Sequence, residues 1–286
     1  MSDETIHINA TPISAWRYVN PLTSVNNLLS YRDLILQFTI REIQGRYKGT
    51  YLGIIWAFIQ PLLLLVVYTF VFTVVFKAKW GVIANESRAE YALTIFCGMV
   101  IYGIFSECVA RAPSLILANP NYVKKVIFPL EILPLSVLGL SLFNGAIGLL
   151  IYQIGALLLL FRIPLSLLYV PLILLPLVML SLGLSWFLSA LGVFIRDIGQ
   201  TINIIITVLF FMSPIFYPLS RVPEQFHIVM RLNPLTNIIE DAHRTIIWGQ
   251  PPDWLWWGIT LIISYLVMQM GYVWFMKSKR AFADVI

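Results

Sequence analysis

The sequence is poor in charge, cysteine and histidine, and it contains no Gly-Lys pair. Asp, Glu, Lys and Arg make up 12% of its 286 residues, against about 25% in an ordinary soluble domain. A chain so short of charge cannot clothe a water-soluble globule. The two cysteines, Cys97 and Cys108, fall in one apolar segment. On a straight helix they lie about 16 Å apart, too far to bridge within the chain. A disulfide scaffold is therefore excluded and core thiols are expected. His7, His227 and His243 are isolated, with no two-histidine metal spacing and no His-Cys cluster. Glu240 and His243 are three apart, like half of a di-metal site whose second half is missing, so a structural role is the simpler reading and no metal site is expected. Without Gly-Lys there is no phosphate-binding loop ending in Gly-Lys-Ser/Thr, and a serine nucleophile elbow is missing too. Catalysis by this chain alone is not expected.

What the sequence has is hydrophobic length: 59% of the chain is apolar, gathered in runs that make the bilayer its solvent. The reading is an all-α integral membrane protein. Residues 1–30 are a polar cytoplasmic extension without a secretory signal, so the first span is expected to stay in the mature protein. Residues 31–286 form a six-span domain, with spans at about 52–76, 91–112, 132–161, 165–195, 198–217 and 254–276. Leu52–Phe76 has no charge and would make a helix of roughly 37 Å, enough to cross a ~30 Å hydrocarbon core with tilt. Ahead of it, Asp33–Lys48 reads as an amphipathic interfacial helix. Leu36, Ile40, Ile43 and Tyr47 form one stripe and Asp33, Gln37, Arg41, Gln44 and Lys48 the next, although Leu34 and Phe38 flank the polar side. Gly45, Gly49 and Gly53 form a small-xxx-small run, readable as an elbow or as a dimerisation face, and the elbow is favoured. Pro113–Pro129 reads as a polar turn, and 218–253 as short helices that dip in without crossing.

Six spans put both termini on one side. That side collects 12 of the 19 basic residues, so the positive-inside rule makes it the cytoplasm. The net charge of +5 then reads as membrane orientation rather than nucleic-acid binding, since the basic residues flank span ends.

Polar and aromatic groups inside the apolar runs are the functional candidates. Trp56, Gln60, Tyr68 and Phe72 recur at multiples of four on the first span. The second carries Tyr102 and Phe105, the fifth Asn203 and Thr207. They read either as helix-packing contacts or as the wall of a pathway whose aromatic faces suit sugar rings. Glu107 and Arg111, four apart on the second span, read either as an ordinary same-helix ion pair or as a lever worked by a cytoplasmic partner. A proton relay would need a chain of such groups through the bilayer, so a proton-driven carrier is disfavoured.

Five stretches carry a resemblance: RDLILQFTIREIQGRYKGTYLGIIWAFIQP (Arg32–Pro61), NPNYVKKVIFPLEILP (Asn119–Pro134), GVFIRDI (Gly192–Ile198), SPIFYP (Ser213–Pro218) and LNPLT (Leu232–Thr236). In this order, and with six spans, the chain resembles the membrane subunit of a type-2 ABC exporter of the polysaccharide branch, which exports O-antigen, capsule and teichoic acids. The resemblance implies a homodimer in the bacterial inner membrane, with two separate ABC ATPase subunits binding ATP and Mg and no cofactor on this chain. It implies a polysaccharide linked to undecaprenyl diphosphate, O-antigen in the first place, as the substrate, and no nucleic-acid partner. Docking on the ATPase would map to Arg41, Asn119, Asn121, Tyr122, Lys124, Lys125, Arg196 and Asp197, and the 218–253 helices would be an outward-side gate. The alternatives are a same-family exporter of small hydrophobic compounds, or a membrane glycosyltransferase or ligase whose candidate groups would be Glu240, Asp241 and Arg244.

Overall fold

The computed structural model describes residues 21–75, 80, 87–124, 128–161 and 164–286. Among them every regular element is helical. In chain order these are α1 Pro21–Ser30, α2 Arg32–Tyr47, α3 Trp56–Thr69, α4 Arg88–Leu115, α5 Pro120–Lys124, α6 Ile132–Leu160, α7 Val170–Phe194, α8 Ile198–Met212, α9 Glu224–Leu232, α10 Pro234–Ala242, α11 Trp254–Ser278 and α12 Phe282–Val285. Residues 1–20 of the N-terminal extension, Lys125, and most of the loop after the first span lie outside the described residues.

Five helical segments are long and apolar enough to cross a membrane: Gly53–Phe72, Arg88–Leu115, Ile132–Leu160, Leu165–Phe194 and Trp254–Val285. The fifth expected span, 198–217, is shorter as a helix. α8 ends at Met212 after 15 residues, about 22 Å at 1.5 Å per residue. Ser213 is extended, with ψ 148°, because Pro214 disfavours the helical region for the residue before it. The expected turn at Pro113 is displaced in the other direction. α4 runs through Pro113 to Leu115, and the Asn119 side-chain amide donates to the Leu115 carbonyl at 2.9 Å, satisfying one of the acceptors that a helix end leaves open. The start of α4 is a capping pair, Ser87 Oγ accepting from the Glu90 N–H at 3.1 Å.

α4 is the hub, packed against α6, α7 and α8, and 72% of its apolar window is buried, against 6% for the first span. α7 and α11 pack most closely of all. A Cβ on Gly271 would stand 2.0 Å from the Gly183 carbonyl oxygen, so these two helices meet backbone to backbone, with Ser181, Ser185 and Ser264 buried alongside. The core divides into two clusters. One surrounds Phe96, Ile101, Tyr102 and Phe105 at the middle of α4. The other gathers Phe38, Leu133, Trp186, Tyr272, Phe275 and Phe282 at the end where α2 and the C-terminal helix meet.

The elbow between α2 and α3 is glycine chemistry. Gly49 and Gly53 have φ +82° and +55°, which a side chain would resist. The apolar stripe of α2 is exposed at Leu36 and Ile40 and half-buried at Ile43 and Tyr47. The buried anchor is Phe38, drawn in because its ring meets those of Tyr122 and Phe128 at 5.6 and 5.1 Å.

Candidate functional site

Aromatic rings form one continuous run through the middle of the chain. Tyr68 and Phe72 stack at 6.2 Å on the first span, and Phe72 stacks on Phe216 at 4.8 Å with planes 20° apart. Phe216 meets Phe210 at 5.1 Å, Phe210 meets Tyr102 at 5.1 Å, and Tyr102 meets Phe105 at 6.0 Å. The structure thus links four pathway candidates, Tyr68, Phe72, Tyr102 and Phe105, through two residues the sequence reading did not single out. Phe216 was visible as the fourth residue of SPIFYP, and Phe210 had no signal beyond a charge-free span.

The burial of these rings differs. Tyr68 and Phe72 are half-buried, whereas Tyr102 and Phe105 are 4% and 2% exposed. The Tyr102 hydroxyl donates to the Ile206 carbonyl of α8, so these two rings are packing contacts within the subunit and do not reach its surface. Trp56 and Gln60 are exposed on the first span. Asn203 and Thr207 are exposed on α8, where the Thr207 hydroxyl donates to the Asn203 carbonyl at 2.9 Å. Gln60 lines a groove of about 180 Å³ between the first three spans, whose polar end is Arg46, Tyr47, Glu107 and Asn144 and whose apolar walls include Leu64 and Met99.

At that polar end the expected same-helix pairing of Glu107 with Arg111 does not occur. Glu107 pairs with Arg46 and accepts from the Asn144 amide at 2.8 Å, while Tyr47 donates to Asn144 Oδ1 at 3.1 Å. Arg111 pairs with Glu42 at 2.6 Å. The cause is legible in hindsight. Glu42-Arg46 and Glu107-Arg111 have the same sign order at i, i+4, and two such helices laid antiparallel bring each acid opposite a base. The result is a two-rung ladder from α2 to α4.

The docking candidates fall at the same end. Arg41 donates to the Tyr122 hydroxyl at 2.6 Å and lies 4.1 Å from the Phe38 ring centre. Lys124 Nζ donates to the Ile286 carbonyl at 2.7 Å. Asn121 is exposed on α5, and Arg196 and Asp197 are exposed at the turn between α7 and α8. Arg41, Tyr122 and Lys124 are thus brought together with the chain's last residue, and Asn119 is turned back on its own helix. A buried ion pair between Glu131 and Lys279, 2.6 Å, ties the start of α6 to the end of α11.

Comparison with known proteins agrees with this arrangement. The family model described as ABC-2 type transporter matches residues 33–248. The O-antigen export system permease protein RfbA of Myxococcus xanthus is 28% identical over 231 residues, 80% of this chain and 86% of that protein. RfbA of Klebsiella pneumoniae is 26% identical over 257 residues, 89% and 95% of the two chains. The polysialic acid transport protein KpsM of Escherichia coli is 24% identical over 239 residues, 80% and 84%. Since the matched stretch takes in 216 of the 286 residues, from the ladder on α2 to the short helices ahead of α11, this chain belongs to the ABC-2 type transporter family of membrane subunits.

Proposed function

We propose that this chain is the membrane subunit of an ATP-driven exporter that moves a polysaccharide, carried on undecaprenyl diphosphate, across the bacterial inner membrane. The observation that carries this reading is the similarity to O-antigen export permeases along 80–89% of the chain. In this reading two copies form the conduit, and two separate ABC ATPase subunits bind ATP and Mg and drive it. α8 with residues 213–217 completes the sixth crossing, so both termini lie in the cytoplasm. α2 lies at the membrane surface, and α9 and α10 form the outward gate.

The exposed face of the first span fits the wall of such a conduit. Its Trp56, Gln60, Tyr68 and Phe72 offer ring faces and an amide to sugar C–H and hydroxyl groups, and Asn203 and Thr207 add polar contacts. The face around Arg41, Tyr122 and Lys124, with Asn121, Arg196 and Asp197, is the ATPase dock, and Lys125 is a further docking candidate by sequence.

The test is deletion of the gene together with complementation. Surface polysaccharide should vanish, lipid-linked polymer should accumulate inside, and the chain should co-purify with an ATPase encoded nearby. Normal surface polysaccharide in the deletion strain would overturn the reading. Transfer of sugar by the purified chain without any ATPase would instead favour a glycosyltransferase.

A further inference from the structure

A second cavity, of about 300 Å³, lies away from both the aromatic run and the ladder, among the short helices between α8 and α11. Trp80, Ser220, His227, Arg231, Glu240, Arg244 and Trp248 are among the residues lining it. The export reading assigns α9 and α10 to the gate and gives these side chains no role of their own.

The arginines are held but not neutralised. The Arg231 guanidinium lies 4.7 Å from the Trp256 ring centre, a stacking contact that fixes its plane and leaves its edge free to donate. Arg244 donates through Nε to the Pro251 carbonyl at 3.2 Å, a contact that uses one of its three nitrogens. Among the described residues the ion pairs within 4.0 Å belong to Arg32, Arg46, Arg111 and Lys279, and neither Arg231 nor Arg244 takes part in one. Glu240 is the one carboxylate lining the cavity; Asp241, outside the lining, also feels Arg244, and Asp253 acts on both acids. Burial pushes the Glu240 carboxyl above its ordinary range, against the pull of Arg231 and Arg244. His227 donates through Nε2 to the Val222 carbonyl at 2.7 Å, since a carbonyl only accepts.

We infer that this cavity is a binding site for a phosphate or diphosphate group, held by the guanidiniums of Arg231 and Arg244, with the Trp248 ring beside it as a wall for an attached ring or chain. Two planar guanidiniums present paired donors matched to phosphate oxygens. The volume accommodates a diphosphate with part of what it is attached to. The group could arrive free or as the head of a lipid, and the two sources share this chemistry. The inference concerns this cavity among the gate helices and stands whether or not the exported cargo is a polysaccharide.

The experiment is binding of radiolabelled inorganic pyrophosphate to the purified full-length chain in detergent, with farnesyl diphosphate as competitor. Saturable binding is expected. Arg231→Gln and Arg244→Gln should each weaken it at least about tenfold, the scale of one lost charge-assisted contact. Glu240→Gln should tighten it, because it removes the opposing charge, and a merely structural role for these residues would not produce a gain. Farnesyl diphosphate competing at least tenfold better than unlabelled pyrophosphate identifies a lipid head as the source; equal competition identifies the free anion. Absence of saturable binding, or equal affinity in wild type and all three variants, overturns the site.

Discussion

Glu107 stands one helical turn from Arg111 and binds Arg46 instead, on a helix 61 residues earlier in the chain. The choice follows from geometry. Along one helix the pair would stabilise α4 alone, by about 0.2–0.5 kcal/mol. Across to α2 it joins two elements, and Arg111 does the same with Glu42. α2 and the second span are therefore joined by two ion pairs beside the groove that Gln60 lines.

The rung between Glu42 and Arg111 gives the cleaner test, since Glu107 also holds Asn144. Glu42→Arg and Arg111→Glu should each reduce export and thermal stability. The double reversal should restore both in large part. The pair is partly exposed, 41% at Arg111 and 18% at Glu42, so the coupling energy should be at most about 1 kcal/mol. A thermal-unfolding cycle in detergent and a surface-glycan assay measure the two readouts; strictly additive effects would dissolve the rung.

Phe216 is the joint of the aromatic run, touching Phe72, Tyr68, Phe210 and Phe211. Phe216→Leu keeps apolar bulk and removes the ring, so stability should change by less than about 1.5 kcal/mol. Export should fall severalfold, and Phe216→Tyr should retain it. Equal loss in both variants would show that shape rather than an aromatic face matters there.

The helical class, the boundaries of most spans and the glycine elbow were legible because each follows from local rules: apolar length, proline and positive φ. The ladder was not, although its residues were conspicuous, because i, i+4 spacing scores the neighbour on the same helix and is blind to a partner brought in by tertiary packing. A periodic stripe of Leu36 and Ile40 says which side of α2 is apolar, and not that Phe38 will meet Tyr122 and Phe128 on another side. Tyr102 and Phe105 could be read either as packing contacts or as pathway wall, because spacing cannot tell a ring that faces a neighbouring helix from one that faces a path.

Tyr122 accepts from Arg41 on the exposed end of the molecule. Tyr122→Phe should loosen the contact between α2 and α5 by about 1 kcal/mol or less at such a site. Reversal of charge at Lys124 and Lys125 should weaken co-purification of the ATPase or uncouple hydrolysis from export. Unchanged co-purification and unchanged coupling in all of these variants would move the dock elsewhere on the chain.

The pH profile of stability should show two opposing titrations next to each other. Burial raises the Asp241 carboxyl from its ordinary 3.8 to about 7, although its hydrogen bond from the Asp253 N–H pulls the other way. Between those values the unfolded chain releases a proton that the folded chain keeps, so this group's contribution falls as pH rises from about 4 to about 7. His243, packed at 5.0 Å against Trp80, runs oppositely. Burial lowers it from 6.5 to about 3, so in that window the unfolded chain binds the extra proton and the contribution grows with pH. The two slopes offset each other between about pH 4 and 6.5, with Glu240, also raised by burial, adding to the Asp241 side. Asp241→Asn preserves an acceptor for the Asp253 N–H and removes one slope, so the melting temperature should climb with pH more steeply than in wild type. His243→Gln removes the other and should make it fall. Thermal unfolding in detergent from pH 4.5 to 7.5 checks both, and parallel profiles for wild type and the two variants would mean that neither group is held in the protonation state its burial dictates.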